Sequence, residues 1–322
     1  MKTSYLFFLL LFTISYGIPV LAQETPRPEI AQAAELNENG DYVAAKNLLE
    51  PLLRADAHAL TPAEIGDAWN IVGTSYTLLG EYSKARESFE AAIQILKDDP
   101  TRLRYYAAAL DNLGSVEMEE GLYEASKALR LEAKKMYEID HDHVGLARVD
   151  NNLALIAVRT GRFNEARQWI DQAFQEAALS PESDIDSLGA MYSVKCTIEA
   201  RGKHWTEALK WVQQEVTVLE TRKNPESPLL ADAYALRGEV YDRLGEYPQA
   251  VSDLQNALSR YQKSPGPATP LYVSAELIYA QILRHSGSST EASRLESQAN
   301  AALAQIHRQQ CSGCTVSSLS FH

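Results

Sequence analysis

Three asparagines in the N-terminal half of the chain have the chemistry needed to hold an extended peptide. Asn70, Asn112 and Asn152 stand ten, nine and nine residues before three glycines of a recurring motif. An asparagine amide both donates and accepts hydrogen bonds, so it can bind a peptide backbone whatever the side chains of the peptide are. The alternative interpretation is that each amide bonds to a neighbouring helix. The spacing alone is compatible with both.

Two arginines accompany the third asparagine. Arg148 and Arg159 are eleven residues apart, which is about three helical turns and places them on one side of a helix. With Asn152 they could bind an acidic side chain or a C-terminal carboxylate. The alternative is surface ion pairing with nearby acids.

A histidine-rich triplet could suggest a metal site. His141, Asp142 and His143 are consecutive, but neighbouring loop residues rarely converge on one ion and no fourth ligand is evident. We therefore expect a solvated turn, and we expect the protein to hold no metal.

Two cysteines lie close together near the C-terminus. Cys311 and Cys314 form the sequence CSGC, which can close a small disulfide loop in an oxidising compartment. Zinc normally requires four ligands and no second such pair exists, so a disulfide or free thiols are favoured over metal binding or redox catalysis.

Known catalytic motifs are absent from the sequence. It contains no Gly-x-Ser-x-Gly elbow, phosphate-binding loop or His-Glu-x-x-His motif,. We expect a protein that is not an enzyme and that uses no cofactor.

The elements that position these residues are indicated by an internal repeat. A glycine is followed two residues later by an aromatic residue and five residues later by alanine, with variations, at seven sites. The seven glycines are 40, 41, 40, 41, 43 and 42 residues apart, at Gly40, Gly80, Gly121, Gly161, Gly202, Gly245 and Gly287. A period of about forty residues with apolar positions at helical spacing predicts pairs of amphipathic helices.

Each glycine is suited to end the first helix of a pair, because it adopts the left-handed C-cap conformation at little cost. Seven residues earlier a small residue recurs where the paired helices must approach each other, as at Gly73 and Gly114,. Lys195 breaks this rule in the fifth copy, so we expect that repeat to be looser or shifted in register. The first helices that carry the asparagines are predicted over residues 67–79, 106–120 and 146–160.

These repeats resemble tetratricopeptide repeats. The resemblance rests on DNLGSVEMEEGLYEASKALRLEAKKMYE, NNLALIAVRTGRFNEARQWIDQAF and ALRGEVYDRLGEYPQAVSDLQNAL, and it covers roughly residues 28 to 308. The long period is similar to that of kinesin light chains and of bacterial peptide-sensing regulators, since the usual repeat has about 34 residues.

The resemblance implies an all-α fold, a right-handed α-solenoid of about seven helix-turn-helix repeats. It also implies a concave wall, lined by the first helix of each pair, that holds a peptide or a partner helix. Members of the family use asparagine near the positions of Asn70, Asn112 and Asn152 for this purpose. The carboxylate clamp of some members needs matching Lys and Arg in adjacent repeats, and these are not found here.

The N-terminus has the layout of a secretory signal. Lys2 precedes an apolar run that ends with Val20, Leu21 and Ala22, so we expect residues 1–22 to be a signal peptide cleaved after Ala22. An uncleaved membrane anchor is the alternative, and no second apolar run reaches membrane length. Residues 23–308 are then the solenoid and residues 309–322 a cysteine-containing tail.

Charge limits the possible partners. The chain has a formal net charge of −13, whereas nucleic-acid binding depends on clustered Lys and Arg. We therefore expect no nucleic-acid partner and no membrane insertion after signal cleavage. The sequence predicts an exported protein, periplasmic or extracellular, that binds a protein or peptide in its concave groove. The alternative is an assembly subunit that packs through its repeat ends or convex face.

Overall fold

The computed structural model describes residues 27–55, 60–180, 185–221, 228–263 and 269–310. The signal peptide expected at residues 1–22 lies outside these residues, and so do Cys311 and Cys314. Among the helices of the described residues, none combines the length with the apolar composition that spanning a bilayer requires.

Fourteen α-helices account for the regular structure in the described residues, and they form seven consecutive pairs. The pairs are α1 (Pro28–Glu38) with α2 (Tyr42–Ala55), α3 (Pro62–Leu78) with α4 (Tyr82–Leu96), α5 (Leu103–Glu119) with α6 (Tyr123–Asp140), α7 (His143–Arg159) with α8 (Phe163–Leu179), α9 (Ile185–Arg201) with α10 (Trp205–Glu220), α11 (Pro228–Leu244) with α12 (Tyr247–Lys263), and α13 (Pro270–His285) with α14 (Ser289–Gln310). A short 3-10 turn, Pro100–Arg102, precedes α5. The odd-numbered helices are the first helices of the repeats and the even-numbered helices are the second.

Local sequence explains where the first helices begin. At α3 the Thr61 hydroxyl accepts from the Glu64 backbone N–H at 3.3 Å, and the Glu64 carboxylate accepts from the Thr61 N–H at 2.7 Å. This reciprocal capping box is followed by Pro62 at the first helical position,. As a result α3 begins five residues before the predicted position 67. Similarly, α5 and α7 begin three residues before the predicted positions 106 and 146.

The helix-turn-helix corners have the predicted left-handed residue. Six of the seven repeat glycines have φ between 75° and 95°. At Gly80 the backbone N–H donates to the Thr77 carbonyl at 3.0 Å, and the next N–H, of Glu81, donates to Tyr76 at 2.9 Å. This pair of bonds is a Schellman motif, which satisfies carbonyl groups at the end of the helix.

The fifth repeat is shifted by one residue, which is one of the two outcomes expected from Lys195. Lys203, and not Gly202, adopts the left-handed conformation there, with φ of 62°. Counting seven residues back from Lys203 gives Cys196, which is fully buried. The small-residue rule is therefore kept in this repeat, and the cysteine supplies the small side chain.

Small residues on the first helices allow close packing of each pair. A Cβ atom added to Gly73 would lie 2.6 Å from the Phe89 ring, and one added to Gly238 would lie 2.1 Å from Leu254. Both distances are well below van der Waals contact, so the second helix occupies the space that a side chain would need.

The described residues form two compact units, residues 27–194 and residues 195–310, and the division falls within α9. In the N-terminal unit successive first helices pack on one another, α1 on α3, α3 on α5 and α5 on α7. The second helices described in this unit pack mainly on first helices and much less on each other. The first-helix layer is therefore the more closely spaced layer of the N-terminal unit.

Candidate functional site

A buried polar cluster occupies the centre of the N-terminal unit, around the carboxylate of Asp111 on α5. Arg130 Nε donates to Asp111 Oδ1 at 3.1 Å and Arg148 Nε donates to Oδ2 at 3.0 Å. Asn152 Nδ2 donates to Oδ1 at 3.1 Å. Asp111 therefore links α6 and α7 to α5. We call these four residues the Asp111 cluster.

Arg130 is fully buried and all parts of its guanidinium have acceptors. Its Nη1 donates to the Gly114 carbonyl at 3.1 Å and to the Ser126 hydroxyl, and its Nη2 donates to Ser115 Oγ at 2.9 Å. A Cβ atom at Gly114 would lie 3.2 Å from Arg130. Gly114 thus makes room for the charged side chain of Arg130. In the second repeat, Gly73 makes room for the Phe89 ring instead.

The electrostatics of the cluster favour its ionised form. Burial opposes ionisation of Asp111, but Arg130, Arg148 and the Asn152 amide outweigh it and hold the pKa of Asp111 below its ordinary value. Arg148 also donates to the Tyr137 hydroxyl, and burial raises the pKa of Tyr137. A fully bonded buried network of this kind fixes the relative positions of helices.

The five residues predicted to bind a partner fall into different environments. Arg148 and Asn152 belong to the Asp111 cluster, where the side chain of Arg148 is 12% exposed. For Asn152 the structure shows the bond to a neighbouring helix that was the alternative interpretation. Asn112 is half-buried and Arg159 is exposed. Ligand contact by these residues stays a prediction.

Asn70 differs from the other two predicted asparagines because it has a buried polar atom without a hydrogen-bond partner. Its side chain is 6% exposed, and its Oδ1 has no hydrogen-bond partner among the described residues. The same holds for Asn151, which is 4% exposed. A buried acceptor without a donor costs about 1–3 kcal/mol. These two amide oxygens are therefore candidates for contact with a ligand.

Sequence reasoning missed the residues that are equivalent to Asn70. Counted from the small residue of each first helix, Asn70, Asp111 and Asn151 all stand three residues earlier. Asn112 and Asn152 stand only two residues earlier, and at that position Asn152 donates to Asp111 on the preceding first helix. Aligning the copies on the small residue instead of on the corner glycine would have identified the equivalent set.

A second unpartnered acceptor lies one turn before Asn70. Asp67 Oδ1 is buried and has no hydrogen-bond partner among the described residues. Burial raises the pKa of Asp67 to about 7, while nearby Arg102 acts against this shift and Glu64 adds to it. Residues three apart are neighbours on a helix surface, so Asp67 and Asn70 form one patch of acceptors on α3.

The histidine triplet lies at the turn between α6 and α7, but this turn is not solvated throughout as expected, because Asp142 is buried. Asp142 Oδ1 accepts from the Gly145 N–H at 3.0 Å and caps α7. His143 Nδ1 lies 2.8 Å from Glu176 Oε2, and His141 is exposed with φ of 55°. Within the described ranges no three His, Cys, Asp or Glu side chains are placed to hold a metal ion.

The C-terminal unit has its own buried polar contacts. Arg237 forms two bonds to Asp253, at 2.7 and 2.8 Å, and the Tyr261 hydroxyl donates to Asp232. Burial raises the pKa of Glu239 to about 8. The bonds of Arg237 and Tyr261 join α11 and α12, and the sequence pattern did not single these residues out.

Comparisons with known proteins agree with this architecture. One tetratricopeptide-repeat family model matches residues 105–175, and a second model of the same repeat matches residues 30–100 and 235–305. No curated protein sequence matches the chain.

Solved structures of repeat proteins are similar to this chain in fold. A Rap protein complexed with competence and sporulation factor has 12% identity and a TM-score of 0.62, with 87% of this chain and 77% of that chain covered. NprR in complex with its cognate peptide NprX has 11% identity and a TM-score of 0.60, with 91% and 82% covered. BtubC (BKLC) from P. vanneervenii has 16% identity and a TM-score of 0.58, with 76% and 96% covered.

The seven helix pairs, the glycine corners and these matches confirm the predicted all-α helical-repeat (α-solenoid) class with about seven repeats. The closer similarity to kinesin light chains stays a prediction. The tetratricopeptide fold is typically that of a non-catalytic scaffold. The chain belongs to the tetratricopeptide-repeat family.

Proposed function

We propose that this chain is an exported, non-catalytic scaffold that binds a protein or peptide along the first helices of its N-terminal unit. One observation carries the proposal. Asn70 on α3 and Asn151 on α7 occupy the same position in their repeats, and each has a buried amide oxygen without a partner in the described residues. Separate N–H groups of an arriving ligand, one for each oxygen, would remove the cost of both unpaired acceptors.

The two layers of the N-terminal unit support this choice of surface. The outer positions of the second helices are rich in exposed charge, as at Lys84, Glu90, Glu132 and Lys135. The first helices instead have few exposed charges. From Gly145 to Val158 of α7, every residue except Arg148 is buried. Polar groups buried in such an apolar layer are costly unless they have a function or a partner.

Two similar structures support a peptide as the ligand. NprR was crystallised with a cognate peptide and the Rap protein with competence and sporulation factor. The repeat fold presents a long surface, and an extended peptide offers backbone N–H groups along its length. The fold alone does not specify the partner.

Export is supported by the sequence at the N-terminus. The apolar run that ends in Val20, Leu21 and Ala22 is the part of a signal peptide that precedes cleavage,. N-terminal sequencing of the protein from the producing cells should begin at Gln23. Recovery of chains beginning at Met1 from a membrane fraction would contradict this part of the proposal.

The experiment that tests binding uses residues 23–322 as bait in an envelope extract, followed by affinity measurements with the captured partner. The test variant is Asn112→Ala with Arg159→Ala, because both side chains reach solvent on the first helices. Lys135→Ala on α6 is the control, since it is exposed on a second helix. The proposal expects about a five- to twentyfold loss for the double variant. Equal losses for variant and control would reject the first-helix surface.

One observation favours assembly as a second candidate function. Ile139 at the end of α6 is 60% exposed and Leu179 at the end of α8 is 63% exposed. Both stand 18 residues after their corner glycine, so two neighbouring repeats expose an apolar residue at the same place. Light scattering after size exclusion distinguishes the two functions, because a monomer at micromolar concentration would argue against assembly.

A further inference from the structure

Two neighbouring interfaces between first helices can be compared residue by residue, because the repeat supplies equivalent positions. The reference point is the small residue of each first helix, Gly73 on α3, Gly114 on α5 and Ala154 on α7. The residue three positions before this small residue is a hydrogen-bond acceptor in each helix. The residue six positions before it differs between the helices: it is Asp67 on α3, Ala108 on α5 and Arg148 on α7.

At the interface between α5 and α7 the donor comes from the chain itself. Arg148 reaches back from α7 and its Nε donates to Asp111 Oδ2 at 3.0 Å. Asn152, four residues later on α7, donates to the same carboxylate at 3.1 Å. The position six residues before the small residue therefore supplies a guanidinium to the acceptor of the preceding first helix.

At the interface between α3 and α5 the guanidinium is missing, although Asn112 stands where α7 has Asn152. Ala108 stands where α7 has Arg148, so the side chain ends at Cβ. The acceptor on the preceding helix is Asn70, and its Oδ1 has no partner in the part of the chain that is described. Asp67 Oδ1, on the same face of α3, is also without one. The interface thus keeps its acceptors and lacks the cation.

Arg102, the cation of the described residues that acts on Asp67, does not fill this position. Arg102 lies close enough to Asp67 to act against the rise of its pKa, yet it provides no hydrogen bond to Asp67 Oδ1. Its guanidinium lies over the Tyr105 ring, 5.9 Å from the centroid. Asp67 and Ala108 are both half-buried, so an entering side chain would meet part of each residue at the surface, while the Oδ1 atoms of Asn70 and Asp67 lie beneath it.

We propose that an arginine or lysine side chain of the partner inserts between α3 and α5 beside Ala108 and donates to Asn70 and Asp67. This inference rests on the proposed function and names the chemistry of its partner, a basic segment. The net charge of −13 favours the approach of such a segment,. The partner cation takes the place that Arg148 takes at the next interface.

The test uses capped pentapeptides with a single central Arg, Lys or Glu between glycines, and backbone amide NMR of the mature chain. The Arg and Lys peptides are expected to shift α3 and α5 amides with dissociation constants on the order of millimolar. The Glu peptide is expected to leave these amides unshifted. Asp67→Asn should weaken binding of the Arg peptide about tenfold. Whichever of the Arg and Lys peptides binds more tightly shows whether the site prefers a guanidinium or an ammonium group.

A matched pair of variants tests the same site from within the chain. Ala108→Arg should supply the missing cation, raise the thermal midpoint above that of Ala108→Met, and abolish binding of the Arg peptide. Ala108→Met is similar in length and has no donor, so it controls for filled space. Equal midpoints for the two variants, or equal binding of the Glu and Arg peptides by the parent chain, would overturn the proposed cation site.

These outcomes are separate from failure of the proposed function. If the captured partner loses affinity for the Asn112→Ala and Arg159→Ala variant while the Arg peptide does not bind, the first-helix surface stands and the cation site is wrong. If a variant at Ala108 does not fold, the peptide preference of the parent chain still decides.

Discussion

Removal of the Asp111 carboxylate should be among the most destabilising single changes in the N-terminal unit. In Asp111→Ala the fully buried Arg130 loses the acceptor of its Nε, and the amide of Asn152 loses its acceptor. Breaking a buried ion pair from one side costs about 3–5 kcal/mol, because it leaves an uncompensated charge. Arg148, 12% exposed, can turn toward water and adds less. Since whole domains are stable by roughly 5–15 kcal/mol, the loss should be easily measured.

Urea unfolding followed by circular dichroism at pH 7 measures this loss. Asp111→Leu combined with Arg130→Met should recover most of the stability, because removing both charges removes the desolvation penalty as well. A loss below about 1 kcal/mol for Asp111→Ala would refute the reasoning, since it would mean that water enters the cluster.

The pH dependence of the Asp111→Ala comparison follows from the lowered pKa of Asp111. A lowered pKa in the folded state means that the stabilisation is present above the ordinary value of 3.8 and is lost as the pH falls below it,. The difference between parent and Asp111→Ala should therefore be constant from about pH 5 to 8 and shrink below about pH 4. A difference that disappeared near neutral pH would contradict the ionised cluster.

Four further predictions concern other positions, each measured by thermal or urea unfolding. Gly161→Val should cost roughly 1–2 kcal/mol from backbone strain alone, because nothing lies within 4 Å of an added Cβ; an unchanged midpoint would place the corner elsewhere. Lys203→Gly should stabilise by up to about 1 kcal/mol, because Lys203 has φ of 62°,. Gly238→Ala should cost about 1–3 kcal/mol by crowding Leu254,. Asp67→Asn should be more stable than the parent at pH 8 and equal to it near pH 4, because the pKa of Asp67 is raised to about 7 and the parent loses stability as the pH rises through that value,.

The fold could be predicted from sequence because its determinants are local. Gly80 specifies a left-handed C-cap, and Gly73 marks the helix face that must pack closely; both depend on steric rules of single residues. The same rules explain the fifth repeat. There Lys195 predicted a repeat that is looser or shifted in register, and the structure shows the shift, with a corner at Lys203 and Cys196 in the small position.

The candidate site could be predicted only in part, because its contacts are between repeats. Asn70, Asn152 and Arg148 were identified as polar residues on first helices, yet nothing local distinguishes the unpartnered Asn70 from the bonded Asn152. That difference depends on Asp111, forty-one residues away from Asn152. Arg130 was not predicted because a buried arginine occupies an apolar position of the repeat pattern. Its role depends on a partner on another helix.

The central claim is that buried acceptors on the first helices are kept for binding, at a cost in stability. It is tested most directly by measuring unfolding and partner affinity on one double variant, Asn70→Leu with Asn151→Leu. Leucine has nearly the shape of asparagine without its unpaired oxygen, so the double variant should gain about 2–6 kcal/mol in stability, about 1–3 kcal/mol for each acceptor removed. Its affinity for the captured partner should fall at least tenfold. A variant that gains stability and binds the partner as tightly as the parent would contradict the claim.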